Sequence, residues 1–109
     1  MTIFQKILDG EIPCDAVYED ELCLAFRDIN PIAPCHILVI PRQFLSRLSD
    51  AQPQHDALLG HLMRVAAKVA KMDGYEDFQV LTNNGESAGQ TVFHLHLHVI
   101  AGNPLRFTQ

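Results

Sequence analysis

Hydrophobic residues fall into a few separable patterns along this 109-residue chain. Ile3, Phe4, Ile7 and Leu8 recur at spacings of three and four and Gly10 follows, which predicts a short amphipathic helix with a glycine stop. Ala16–Tyr18 and Leu22–Asp28 read as two strands across the acidic turn Glu19-Asp20-Glu21. Segment 29–34 carries Pro31 and Pro34 and predicts a rigid loop. His36–Ile40 is a continuous apolar run closed by Pro41, a strand covered on both faces. After a turn or cap at Ser49 or Asp50, Leu58, Leu62, Val65, Ala66 and Val69 mark one long helix over 54–72, with Gly74 just beyond its end. Phe78–Asn83 is a further strand, 84–90 a polar loop, Val92–Ala101 the last strand, and 102–109 an irregular tail. Helices do not separate each pair of strands. The pattern therefore predicts an α+β domain, an antiparallel sheet with helices on one face.

Composition adds boundaries. With 48% hydrophobic and 19% charged residues the chain is an ordinary globular sequence, read as a single domain over 1–109. The formal net charge of -5 leaves no basic footprint for a nucleic acid polymer. A small phosphate ligand is still compatible, because backbone N–H groups can hold an anion. Cys14, Cys23 and Cys35 are odd in number and match no close metal pair, which suggests reduced thiols and a cytoplasmic protein. No segment reads as a secretory signal or is apolar for long enough to span a membrane.

The chemistry concentrates in Val92–Ile100. His94, His96 and His98 alternate with Leu95, Leu97 and Val99. Strand side chains alternate between faces, so three imidazoles share one side and three aliphatics the other. A row of imidazoles needs solvent, polar partners or a ligand, because burying ring N–H groups unpaired is costly. Two uses compete. Two of the rings plus a third ligand could hold a metal ion, although the outer pair is about 13 Å apart along an extended strand, far for one ion. Alternatively, a neutral central imidazole could attack phosphorus, with its neighbours binding phosphate oxygens or protonating a leaving group. The preceding loop, with Asn83, Asn84, Gly85, Gly89, Gln90 and Thr91, offers amides, a hydroxyl and close backbone approach to such an anion.

The stretch NNGESAGQTVFHLHLHVI resembles the histidine triad (HIT) nucleotide-binding family, whose signature alternates three histidines with hydrophobic residues. The likeness extends through TIFQKILDGEIP and LAFRDINPIAPCHILVIP, and LLGHLMRVAAKVA is most similar to the branch of small purine nucleoside phosphoramidases. The resemblance implies a five-stranded antiparallel sheet with one short and one long helix. It also implies a homodimer joined into a ten-stranded sheet. The implied activity is cofactor-free hydrolysis of AMP or GMP derivatives at the α-phosphate. In this chain His96 then matches the nucleophile, His98 a phosphate contact, and His94 the residue whose carbonyl orients the His96 ring. His36 matches a supporting fourth histidine and Asp28 the acceptor of the ribose hydroxyls. Ile3, Phe4, Phe26 and Ile29 match the purine pocket, and Asn83, Gly89 and Thr91 phosphate-side contacts, beside Gln90. Some members hold zinc through a Cys-x-x-Cys pair. Met1 and Phe4 stand there in this chain, so no metal is expected. Thr91 stands where Ser is frequent and Arg27 where His is frequent, and the tail LRFTQ lacks a Trp that many members carry. The AGQTV spelling also occurs in dinucleoside polyphosphate hydrolases, which keeps that activity open, beside a nucleotide-binding regulatory role with weak turnover.

Overall fold

A computed structural model describes residues 1–103; the expectations for 104–109, including the tail without Trp, lie outside them. Helix α1 spans Ile3–Leu8. Thr2 opens it with a reciprocal cap: its hydroxyl accepts from the Gln5 N–H at 3.2 Å, and Gln5 Oε1 accepts from the Thr2 N–H at 2.6 Å. Five strands follow: β1 Ala16–Glu19, β2 Cys23–Arg27, β3 Cys35–Pro41, β4 Gln79–Leu81 and β5 Leu97–Ala101. Helix α2, Asp56–Met72, lies between β3 and β4 and is preceded by a 3₁₀ turn, Pro53–His55. The strands form one antiparallel sheet in the order β1-β2-β3-β5-β4.

The two helices cover opposite faces of this sheet, which corrects the expectation of helices on one face. Alternation along the strands shows the reason. Cys23 and Ala25 of β2 and Cys35, Ile37 and Val39 of β3 pack with Leu62, Val65, Ala66 and Val69 of α2. Their neighbours Leu24, Phe26, Leu38 and Ile40 turn the other way and gather around Phe4 of α1. Every residue of β3 is buried, so its second face also needs a cover, and the amphipathic α1 supplies it.

The last strand is shorter than expected. It begins at Leu97, paired with Val39. The next rung would pair Leu95 with Pro41, which has no N–H to give. The Pro41 carbonyl accepts from His94 Nε2 at 2.9 Å, and the Leu95 N–H turns to the Leu45 carbonyl at 2.7 Å. The ladder ends there, yet the alternation persists, since Leu95, Leu97 and Val99 all join the core beneath α2.

Two charged clusters tie the sheet to α2. Arg27 makes a two-pronged bond to Asp73, just past the helix end, at 3.2 and 2.7 Å. Asp20, in the β1–β2 turn, accepts from the N–H groups of Leu22 and Cys23, from the Tyr18 hydroxyl, and from His61 of α2 at 2.7 Å. Burial works to raise its pKa, but these hydrogen bonds outweigh it and hold the carboxyl well below the usual range.

Candidate functional site

On the α1 face the sheet opens into a cleft of about 540 Å³. Its floor comes from alternate residues of the central strands, Phe26, Leu38 and Ile100, and α1 closes one side with Ile3 and Phe4. The Phe4 ring meets Phe26 edge-on at 5.6 Å between centroids and His96 at 5.0 Å. Asp28, just after β2, and Ile29 and Ile32 of the proline loop form the rim, where both isoleucines are exposed. Asn83, Thr91, His96, His98 and His36 line the opposite part.

The hydrogen bonds dictate where each imidazole carries its proton. His96 Nδ1 lies 2.8 Å from the His94 carbonyl, so Nδ1 donates and Nε2 keeps a bare lone pair. Thr82 of the β4 exit donates its hydroxyl to the His96 carbonyl at 2.7 Å, which fixes the backbone of the same residue. His36 Nδ1 accepts from the Ile32 N–H at 3.2 Å, leaving Nε2 as its donor. That donor faces His98 Nδ1 at 3.0 Å and Asp28 Oδ2 at 3.4 Å. His94 gives its Nε2 hydrogen to the Pro41 carbonyl, its Nδ1 is buried without a hydrogen-bond partner, and its ring meets those of Phe4 and Phe44 edge-on.

These rings are held neutral. Burial lowers the pKa of His96, partly opposed by its bond to the His94 carbonyl and by the charge of Asp28. Burial, then repulsion from His96 and His36, takes His98 down to about 4. Burial likewise lowers His36, against the pull of Asp28, and His94. A neutral imidazole with a free Nε2 is a nucleophile at neutral pH. Among the described residues no Lys or Arg lines the cleft, so an anion here meets neutral donors.

Most of the expected site residues converge on this cleft: Ile3, Phe4, Phe26, Asp28, Ile29, His36, Asn83, Thr91, His96 and His98. Three do not line it. His94 is fully buried and reaches the site only through its carbonyl. Gln90 is also buried: its carbonyl oxygen accepts from Gly85, and its amide donates to Ser46 and Val92 at 2.8 and 3.0 Å. Gly89 sits at φ 94°, ending the 3₁₀ turn of Glu86–Ala88, where a side chain would be strained. Arg27, which stands where His is frequent in the family it resembles, points to the α2 face and Asp73. Sequence reasoning missed Leu38 and Ile100 as floor residues; their alternation with core positions was the available signal.

Two groups could offer metal ligands, Asp28-His36-His98 in the cleft and Asp20-Cys23-His61 beneath α2. In each, two candidate ligand atoms already share a hydrogen bond. Burial, followed by the charge of Asp20, also pushes the Cys23 thiol up to about 12, which opposes the thiolate a metal requires. The three cysteines are free, Cys14 at the surface and Cys23 and Cys35 buried. Among the described residues no helix is long and apolar enough to cross a membrane.

Comparison with known proteins agrees with this geometry. An uncharacterized HIT-like protein of Synechocystis is 56% identical over 104 residues, spanning 94% of this chain and 91% of its own. The purine nucleoside phosphoramidase of Escherichia coli K12 is 43% identical over 106 residues, spanning 95% and 89%. The crystal structure of a HIT family hydrolase from Legionella pneumophila superposes with a TM-score of 0.94 at 36% identity, covering 98% of this chain and 97% of the other. The HIT domain profile matches residues 9–105, and with these relatives and this fold likeness the chain belongs to the HIT domain family.

Proposed function

We propose that this protein hydrolyses purine nucleoside phosphoramidates, cleaving the bond between the α-phosphate of AMP or GMP and an amine. Family membership and the phosphoramidase and hydrolase relatives support nucleotide hydrolysis in general. The observation that carries the finer reading is the bare Nε2 of His96 in a cleft that offers an apolar slot at Phe4 and Phe26 and a carboxylate at Asp28. In this reading the purine enters the slot beside Ile3 and Ile29, and the ribose hydroxyls donate to Asp28. His98 Nε2–H binds a phosphate oxygen near Asn83 and Thr91. His96 Nε2 attacks phosphorus, the phosphorus–nitrogen bond to the leaving group breaks, and the amine departs with a proton taken from solvent. Water then attacks the nucleotidyl-histidine and gives a proton back to solvent, which releases AMP and restores the lone pair. The His94 carbonyl accepts from Nδ1 throughout and stabilises the positive charge that the nucleotidylated ring acquires. Gly89 and Gln90 shape the loop beside the phosphate without touching it.

A homodimer completes the reading, with the sheet edge at β4 and helix α2 as the contact, and sedimentation should give twice the monomer mass of 12.2 kDa. The test of activity is His96→Ala assayed on adenosine 5′-phosphoramidate. Loss of turnover with an unchanged melting profile supports the assignment; more than a few per cent of the wild-type rate rejects it. Diadenosine triphosphate in the same assay separates a phosphoramidase from a polyphosphate hydrolase by kcat/KM, and tight AMP binding without turnover of either substrate would point to a regulatory role.

A further inference from the structure

One polar group at the cleft has no part in the steps above: the backbone N–H of Ile32. It donates to His36 Nδ1 at 3.2 Å. A ring nitrogen that accepts cannot also carry hydrogen, so His36 holds its proton on Nε2 alone. Nε2 then donates to His98 Nδ1 at 3.0 Å, and the hydrogen of His98 is confined to its own Nε2. One backbone amide thus dictates the proton position on two successive rings.

We infer that the Ile32 amide is a positioning group: it keeps His36 in its neutral Nε2–H form and so presents His98 to the α-phosphate as a neutral Nε2–H donor. The inference rests on the phosphoryl-transfer reading above. The lock has something to work against. The Asp28 carboxylate lies 3.4 Å from His36 Nε2 and favours the doubly protonated ring. That ring would place an Nδ1–H directly against the Ile32 N–H, donor against donor. Asp28 and His98 are the titratable groups facing His36 among the described residues, with His96 behind His98 at 5.0 Å between ring centroids. The residue carrying the amide is itself held. Asn103 donates to the Ile32 carbonyl at 3.2 Å, and Pro31 and Pro34 restrict the backbone on either side. The Ile32 side chain is 69% exposed, so packing does not explain the fixed placement of its backbone.

Without the lock, His36 can move its hydrogen to Nδ1. Its bare Nε2 then forces His98 to place hydrogen on Nδ1, and the lone pair of His98 Nε2 turns toward the phosphate oxygens. A donor to an anion becomes a repelling acceptor.

The test replaces the amide of residue 32 by an ester through an α-hydroxy acid, which deletes the N–H and keeps the side chain; Ile32→Pro is a second route. Imidazole ¹⁵N shifts of the substrate-free protein are the primary readout. Wild type should show hydrogen on Nε2 of both His36 and His98. The ester protein should show His98 Nε2 moving toward the unprotonated shift and His36 titrating at higher pH. On adenosine 5′-phosphoramidate, kcat should fall about 10-fold with KM changed less than about threefold, the scale of one hydrogen bond to a charged group. In a His36→Gln background, whose carboxamide donates but cannot tautomerise, the ester should have no further effect on kcat. Wild-type His98 with hydrogen on Nδ1, unchanged ¹⁵N shifts in the ester protein, or an equal loss of kcat in both backgrounds would overturn the inference. Correct ¹⁵N shifts in a protein that hydrolyses no nucleotide would sink the proposed function and leave the lock standing.

Discussion

Keeping imidazoles neutral inside the fold has a thermodynamic cost that appears on acidification. An unfolded histidine titrates near 6.5, whereas His98 in the folded protein titrates at about 4. Between those values the unfolded chain binds the proton and the folded chain does not. The contribution of His98 to stability is therefore fully present above pH 6.5 and is lost as pH falls toward 4. At pH 5 the unscreened linkage loss is about 2 kcal/mol. His98 is only half-buried, and water around the ring reduces this to about 1 kcal/mol. His36, His94 and His96 shift in the same direction, so wild type should lose more than this single share. The assay is urea unfolding at pH 7.5 and pH 5.0 for wild type and His98→Gln. The variant should lose about 1 kcal/mol less than wild type between the two pH values. Carboxylates do not confuse the comparison, because Asp20 and Asp73 titrate below their ordinary range and are shared by both proteins. A wild type whose stability is level or rises toward pH 5, or a variant with the wild-type slope, would refute the reasoning.

Three further outcomes follow from the same contacts. Phe4→Leu keeps α1 packed but removes the ring that meets Phe26 and His96, so KM for AMP derivatives should rise several-fold while the melting temperature drops by only a few degrees; an unchanged KM would separate Phe4 from purine binding. Arg27→Met deletes the two-pronged bond to partly buried Asp73 on the face away from the cleft, so chemical denaturation should show a loss of about 1–2 kcal/mol with kcat/KM preserved. Activity should survive excess chelator, because His96 acts through its own lone pair; loss of turnover that zinc restores would transfer the chemistry to a metal.

Much of this site could be read in the sequence because strand alternation is a local property. Leu95, Leu97 and Val99 needed a core, and their placement beneath α2 commits the intervening histidines to the other side. The continuous apolar run of β3 likewise signalled cover on both faces. Its second cover, α1, was not legible as such, since an amphipathic hexamer does not declare which face of a sheet it will meet. The early end of β5 was hidden for a different reason: Pro41 removes a rung only through a register that pairs it with Leu95, some fifty residues away. Gln90 illustrates a similar blindness. Its composition suits a phosphate loop, but the Ser46 carbonyl that captures its amide is distant in sequence. The side taken by Arg27 follows from alternation alone, because it comes after Phe26 and so faces α2.

The account depends most on the covalent role of His96. Rapid mixing with adenosine 5′-phosphoramidate, quenching in base to preserve a phosphorus–nitrogen bond, and peptide mapping by mass spectrometry test it directly. The expected result is an adenylyl adduct on His96, formed and consumed at rates compatible with turnover and absent from His96→Gly. An adduct on His94 or His98, or full turnover with no adduct on any histidine, would contradict it.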